Sequence, residues 1–181
     1  MAELLPTPSP SSSRPARPSP PRGPSALLRI GVVTLTLGMF GCDHVTKVAA
    51  EAALANRPPV SLVRGLLELR YTQNSDAAFS LLSRLGVERS PALLLTLAGA
   101  ALVAIVVAWI AMCRRASAAA HVGFALIVSG ALGNVVDRAA RGYVVDFIHL
   151  TSWPVFNVAD VAVVAGMILL VLARPLRAMA A

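Results

Sequence analysis

Charge is scarce in this chain of 181 residues: only 14% are Asp, Glu, Lys or Arg, and 9 acidic residues stand against 16 basic ones. A soluble globular domain carries roughly 25% charged residues, so that class is excluded first. Cysteine is limited to Cys42 and Cys113, near the ends of different apolar segments. These segments are expected to end on opposite sides of a membrane, which excludes a disulfide, and the spacing fits no metal site. The histidines His44, His121 and His149 form neither HxxxH nor HxxH and read as interfacial or packed side chains. The sequence has no HExxH, no GxSxG and no phosphate-binding glycine loop. Ser129 and Ser152 have no Lys or His at a spacing that would activate a hydroxyl, and Gly130, Gly133 and Gly142 suit close helix packing instead. Aromatic residues are only 5% and are not interleaved with the basic ones, so the net charge of +7 does not describe a nucleic-acid surface.

What the chain has in quantity is apolar sequence: 56% hydrophobic residues and a mean hydropathy of +0.71. This composition defines a membrane protein. Residues 1–24 hold eight prolines and three arginines with little to bury, and are expected to form a disordered cytoplasmic tail. A membrane domain is expected over residues 25–176, mainly α, with four transmembrane helices. The first span runs from Ser25 or Ala26 to about Cys42, roughly the 20 residues a bilayer requires. The others are expected at Pro91 to about Met112, Ala119 to Val136 and Asn157 to Ala173. Within this domain, residues 58–90 change character, with partial alternation at Leu67, Leu69 and Tyr71; a small extracytoplasmic β-containing element is expected there. Residues 139–156 form a second surface segment, without an assigned strand.

Arginines give the orientation. Arg14, Arg17 and Arg22 precede the first span, Arg114 and Arg115 separate the second from the third, and Arg174 and Arg177 follow the fourth. With four spans all three clusters fall on one side, the cytoplasm, and both termini are inside.

Polar residues at membrane depth then stand out, because a helix satisfies its own backbone but not its side chains. They crowd the outer ends of the spans. Asp43 and Lys47 are four apart and share a helix face, as a structural latch or as part of a site. Asn134 and Asp137 close the third span, and Asn157 and Asp160 open the fourth with the same three-residue spacing. Two carboxylates in one confined place cannot both ionise cheaply, so one holds a proton while the other remains a base. Such a pair activates water against a peptide carbonyl and protonates the leaving nitrogen, without a metal or a covalent intermediate. The asparagines can orient the carboxylates or hold substrate backbone.

Five segments carry a resemblance. DHVTK at 43–47, NSDAAFS at 74–80, GNVVDR at 133–138, VVDFI at 144–148 and FNVAD at 156–160 resemble, in order, the motifs of the lipoprotein signal peptidase family, also called signal peptidase II. The resemblance spans roughly residues 27 to 173. It implies an aspartic endopeptidase of the bacterial inner membrane that removes the signal peptide of prolipoproteins before a diacylglyceryl-modified cysteine. It implies Asp137 and Asp160 as catalytic residues, with Asp43, Lys47, Asn74, Asn134, Arg138, Asp146 and Asn157 engaging substrate or supporting the site. It further implies no cofactor, an active site toward the periplasmic face and inhibition by globomycin-type cyclic peptides. The competing readings are a non-catalytic membrane paralogue that binds lipoproteins, a small transporter, and a lipoprotein substrate cleaved at Cys42. Charged groups clustered at one end do not line a transport route, and the bulky Phe40 with three later spans disfavours the substrate reading.

One position departs from the family pattern: Asp76 stands where the family usually has Gly. Its negative charge near a carboxylate pair raises the cost of ionising that pair. Asp76→Gly is therefore expected to shift the pH profile of cleavage toward lower pH; an unchanged profile would rule out an electrostatic influence.

Overall fold

The computed structural model describes residues 23–75, 90–114 and 116–173. The first helix, α1 (Ala26–Leu54), starts at Ser25, whose side chain accepts the Leu28 amide. It does not stop near Cys42. It continues past Asp43 and Lys47 to Leu54, so the two charged residues share a face of one 29-residue helix, as their spacing implied, and only the end of that helix lies further on than the apolar run. The apolar run defined the first part of this helix; the amphipathic stretch after it remains helical because Ala50 and Leu54 are buried beneath the strands that follow.

Strands β1 (Val60–Val63) and β2 (Leu67–Asn74) come next, as the alternation at 67–71 anticipated. Helix α2 (Pro91–Met112) matches its expected span. Helix α3 (Ala118–Arg141) runs past Val136 and ends at Gly142, whose left-handed φ of 79° closes the last turn. A third strand, β3 (Val144–Leu150), replaces the strandless surface segment expected at 139–156. Its run VVDFI shows no alternation, because Val144, Val145, Asp146 and Phe147 are all buried. Helix α4 (Val158–Leu172) is capped by Asn157.

The strands form one antiparallel sheet in the order β1-β2-β3. Phe147, Ala50 and Leu54 make the small core that fastens this sheet over the end of α1, with Leu69, Tyr71, Ile148 and Val158 packed around them. Among the described residues, three helices are long and apolar enough to cross a membrane, and α4 is a shorter apolar helix. The architecture is that of a mainly α membrane protein with a small β element. Large apolar side chains such as Leu27, Ile30, Leu37, Val107 and Ile110 point outward, which water would penalise and lipid does not.

The α3 and α4 helices pack antiparallel and very closely. A Cβ on Gly123 would meet the Gly166 carbonyl, and one on Gly130 would meet the Ala159 carbonyl, so contacts recur every seven residues along both helices. Glycine is needed at these crossings because no side chain fits between the two backbones. This approach brings the last turns of α3 against the first turn of α4, where the polar residues of both collect.

Candidate active site

Lys47 is the centre of the site. Its side chain is 1% exposed, and its ammonium reaches Asp43 Oδ2 at 2.8 Å, Asp137 Oδ2 at 2.9 Å and Asn134 Oδ1 at 2.9 Å. An ammonium has three donors, and all three are used. Removing such a charge from water costs several kcal/mol, and only close oxygens of this kind offset it.

The fixed donor at Lys47 orders the groups around it. Lysine only donates, so the Asn134 amide must present its oxygen there, which turns its Nδ2 to Asp160 Oδ1 at 2.9 Å. Asp43 faces two ways: Oδ2 meets Lys47, and Oδ1 accepts the Ala159 amide at 2.9 Å in the first turn of α4. An anion at a helix N-terminus is favoured by the exposed amides. The Asp43 carboxylate also lies against Gly133, where a Cβ would collide with it.

Asp137 is buried, and besides Lys47 its Oδ2 accepts the Val145 amide at 3.3 Å. Its other oxygen lies 3.8 Å from Arg141 Nε, and Arg141 in turn pairs with Glu51 at 3.0 Å. Asp160 is half-buried and sits in a capping box: its amide donates to Asn157 Oδ1 at 3.0 Å, while its Oδ2 accepts the Asn157 amide at 3.2 Å. Asn157 is fully buried, and its Nδ2 spans Asp146 Oδ1 at 2.6 Å and Asn134 Oδ1 at 3.2 Å.

The sheet supplies the remaining wall. Asn74 pairs with Val144 and Thr72 with Asp146, so Asn74 and Asp146 are diagonal neighbours on one face, and Asn74 Nδ2 donates to Asp146 Oδ2 at 2.7 Å. Arg138 donates to the Asn134 carbonyl at 3.3 Å and lies within electrostatic reach of Asp146, Asp160 and Asp137.

All nine residues singled out in the sequence therefore meet at one end of the bundle. Asp76, with the rest of its segment after Ser75, lies outside the described residues. Sequence reasoning read Gly133 as a packing glycine without its place against Asp43, and missed the amides of Val145 and Ala159 and the Glu51 and Arg141 pair. A signal existed for the last two, since Glu51 is four residues after Lys47 and Arg141 four after Asp137. Among the described residues, no three His, Cys, Asp or Glu side chains converge as a metal-holding group.

Asp160 also opens onto a groove. A cavity of about 390 Å³ runs from it along α4, walled by Trp153, Phe156, Val161, Val164 and Ile168. One carboxylate is thus sealed beside a lysine, and the other stands at the end of an apolar channel.

One buried and one half-buried carboxylate on adjoining antiparallel helices, with apolar surface leading to the second, form the kind of arrangement that the class of aspartic membrane peptidases needs. The comparisons give the family within that class. A family profile described as signal peptidase (SPase) II matches residues 35–175. A lipoprotein signal peptidase of Mycobacterium tuberculosis is 39% identical over 167 residues, which cover 89% of this chain and 76% of that protein. One from Caldicellulosiruptor bescii is 36% identical over 136 residues, 75% of this chain and 85% of its own. A solved structure described as a bacterial membrane enzyme shares the fold, with a TM-score of 0.67 and 24% identity over 79% of this chain and 86% of that one. The chain belongs to the signal peptidase II family and is an aspartic peptidase of that type.

Two predictions follow from the geometry. Lys47→Met leaves Asp43 and Asp137 buried without their counter-ion, and is expected to cost about 3–5 kcal/mol in stability; denaturant unfolding in detergent measures it, and a native-like midpoint would contradict the assignment. Burial pushes the Asp146 carboxyl up to about 6 from an ordinary 3.8; the Asp160 charge adds to this, and the Asn74 and Asn157 hydrogen bonds oppose it. The fold thus favours protonated Asp146, whose contribution to stability is complete below about pH 4 and lost as pH rises through about 6. Asp146→Asn cannot ionise, so its thermal midpoint should fall less than that of the native chain between about pH 4 and 7; equal falls would refute the linkage.

Proposed function

We propose that this chain cleaves prolipoproteins immediately before a diacylglyceryl-modified cysteine, with Asp137 and Asp160 as the catalytic carboxylates. The observation that carries the reading is the Asn134 bridge. One amide binds the lysine that pairs with Asp137 and, through its other end, Asp160, so both carboxylates belong to a single hydrogen-bonded unit.

The reaction needs one of the two acids protonated and the other ionised. A water between the pair and the scissile carbonyl loses a proton to the ionised carboxylate as its oxygen attacks the carbonyl carbon. The protonated carboxylic acid stabilises the developing oxyanion. Collapse of the tetrahedral intermediate breaks the C–N bond, and the nitrogen takes a proton from the pair, which is restored to its starting state. Asn157 fixes the orientation of Asp160 through the capping box. Arg138, Asp146 and Asn74 hold the sheet edge beside the reacting bond.

The groove along α4 suits the substrate. Its apolar walls can take the hydrophobic part of a signal peptide or a lipid chain that remains in the bilayer, leaving the peptide bond beside Asp160. A globomycin-type cyclic peptide with an apolar face would occupy the same groove. The arginine distribution supports a topology with both termini in the cytoplasm and the aspartates toward the periplasm.

The test is cleavage of a diacylglyceryl-modified prolipoprotein peptide by the purified chain in detergent, beside Asp137→Asn and Asp160→Asn. The native chain is expected to cut just before the lipidated cysteine, and each variant to lose on the order of 10²–10⁴-fold or more in rate. Asp160→Asn should keep its thermal midpoint within a few degrees, whereas Asp137→Asn, which weakens the buried pair with Lys47, should melt lower and is compared at a temperature where it is folded. Folded variants that cleave at the native rate would refute the assignment.

A further inference from the structure

At the opposite end of the bundle, about 24 Å along α3 from Asp137, lies a second cavity with different chemistry. It measures about 590 Å³ and lies between α1 and α2, which both pack on α3 but not on each other among the described residues. Leu28, Val32, Val33 and Ile110 give it apolar walls, and Arg29 and Arg114 stand at it.

His121 faces this cavity and is only 4% exposed. Trp109 Nε1 donates to its Nδ1 at 3.0 Å. An indole N–H can only donate, so Nδ1 accepts and the ring carries its proton on Nε2. That Nε2–H is buried and has no hydrogen-bond partner among the described residues. Trp109 stacks in turn on Phe124, with centroids 5.8 Å apart and an interplanar angle of 8°. A buried donor without an acceptor destabilises the state that holds it, and a ligand that supplies the acceptor recovers that loss.

We infer that this cavity binds an anionic phospholipid of the leaflet opposite the aspartates, its phosphate group accepting from His121 Nε2–H and drawn by Arg29 and Arg114, with an acyl chain between α1 and α2. The orphan donor requires an acceptor, the two guanidiniums require negative charge, and the apolar walls require an aliphatic tail. A phospholipid carries all of these, and basic pockets between membrane helices bind such headgroups. Its tail would join two helices that do not touch. Under the topology proposed above, the leaflet is the cytoplasmic one.

Native mass spectrometry of the purified full chain, offered phosphatidylglycerol or phosphatidylcholine with identical acyl chains, tests the inference. Phosphatidylglycerol is expected to be retained with a preference on the order of tenfold. That preference should vanish in R29Q/R114Q, whose altered positions are exposed. His121→Leu should lose retention, whereas His121→Gln, whose amide can accept from Trp109 and still donate, should keep much of it. Equal retention of the two lipids by the native chain would overturn the inference without recourse to any variant, as would an unchanged preference in R29Q/R114Q. Displacement of phosphatidylglycerol by millimolar inorganic phosphate would overturn the lipid assignment in favour of a free anion.

Discussion

Everything at the active end depends on one buried ammonium. Lys47 touches an aspartate of its own helix and an aspartate and an asparagine of α3, and these side chains reach α4. A cation placed there without its oxygens would be intolerable, and so would the carboxylates without the cation. The arrangement therefore specifies a distance between α1, α3 and α4 that apolar packing alone would leave loose. Gly133 shows how tight it is, since even a methyl group there would occupy the place of the Asp43 carboxylate.

The helices deliver these groups to one level by a division of labour. Close glycine contacts at Gly123 and Gly130 set the separation of α3 and α4 along their length. The polar network then fixes their rotation, because Asn134 must face Lys47 with its oxygen and Asp160 with its nitrogen. The capping box at Asn157 joins the start of α4 to the same network, so the turn that begins the helix also aims Asp160. The strand β3 closes the site from above, and its buried Asp146 is held by one asparagine from β2 and one from α4.

Much of this was legible in the sequence. The apolar runs located each helix among the described residues, and the repeated Asn-x-x-Asp spacing marked both aspartates, because polar side chains at membrane depth have few ordinary explanations. Helix ends were less legible. The first and third helices continue past their apolar runs because their ends are packed against the sheet, a tertiary reason that hydropathy does not record. The strand β3 was missed for a related cause: buried on both faces, it has no alternation to read. The amides of Val145 and Ala159 carry no side-chain signal, since their role lies in the backbone, and Gly133 was legible only as a packing glycine because its partner, the Asp43 carboxylate, comes from another helix.

A double-mutant cycle between Lys47→Met and Asp137→Asn, read by denaturant unfolding of the purified protein, tests the central dependence most directly. If the ammonium and the carboxylate sustain each other, the two losses will be strongly non-additive, with a coupling of about 1–3 kcal/mol or more and a double variant that is no less stable than Lys47→Met alone. Losses that simply add would contradict the account, because Lys47 would then be held by something other than the aspartate it touches.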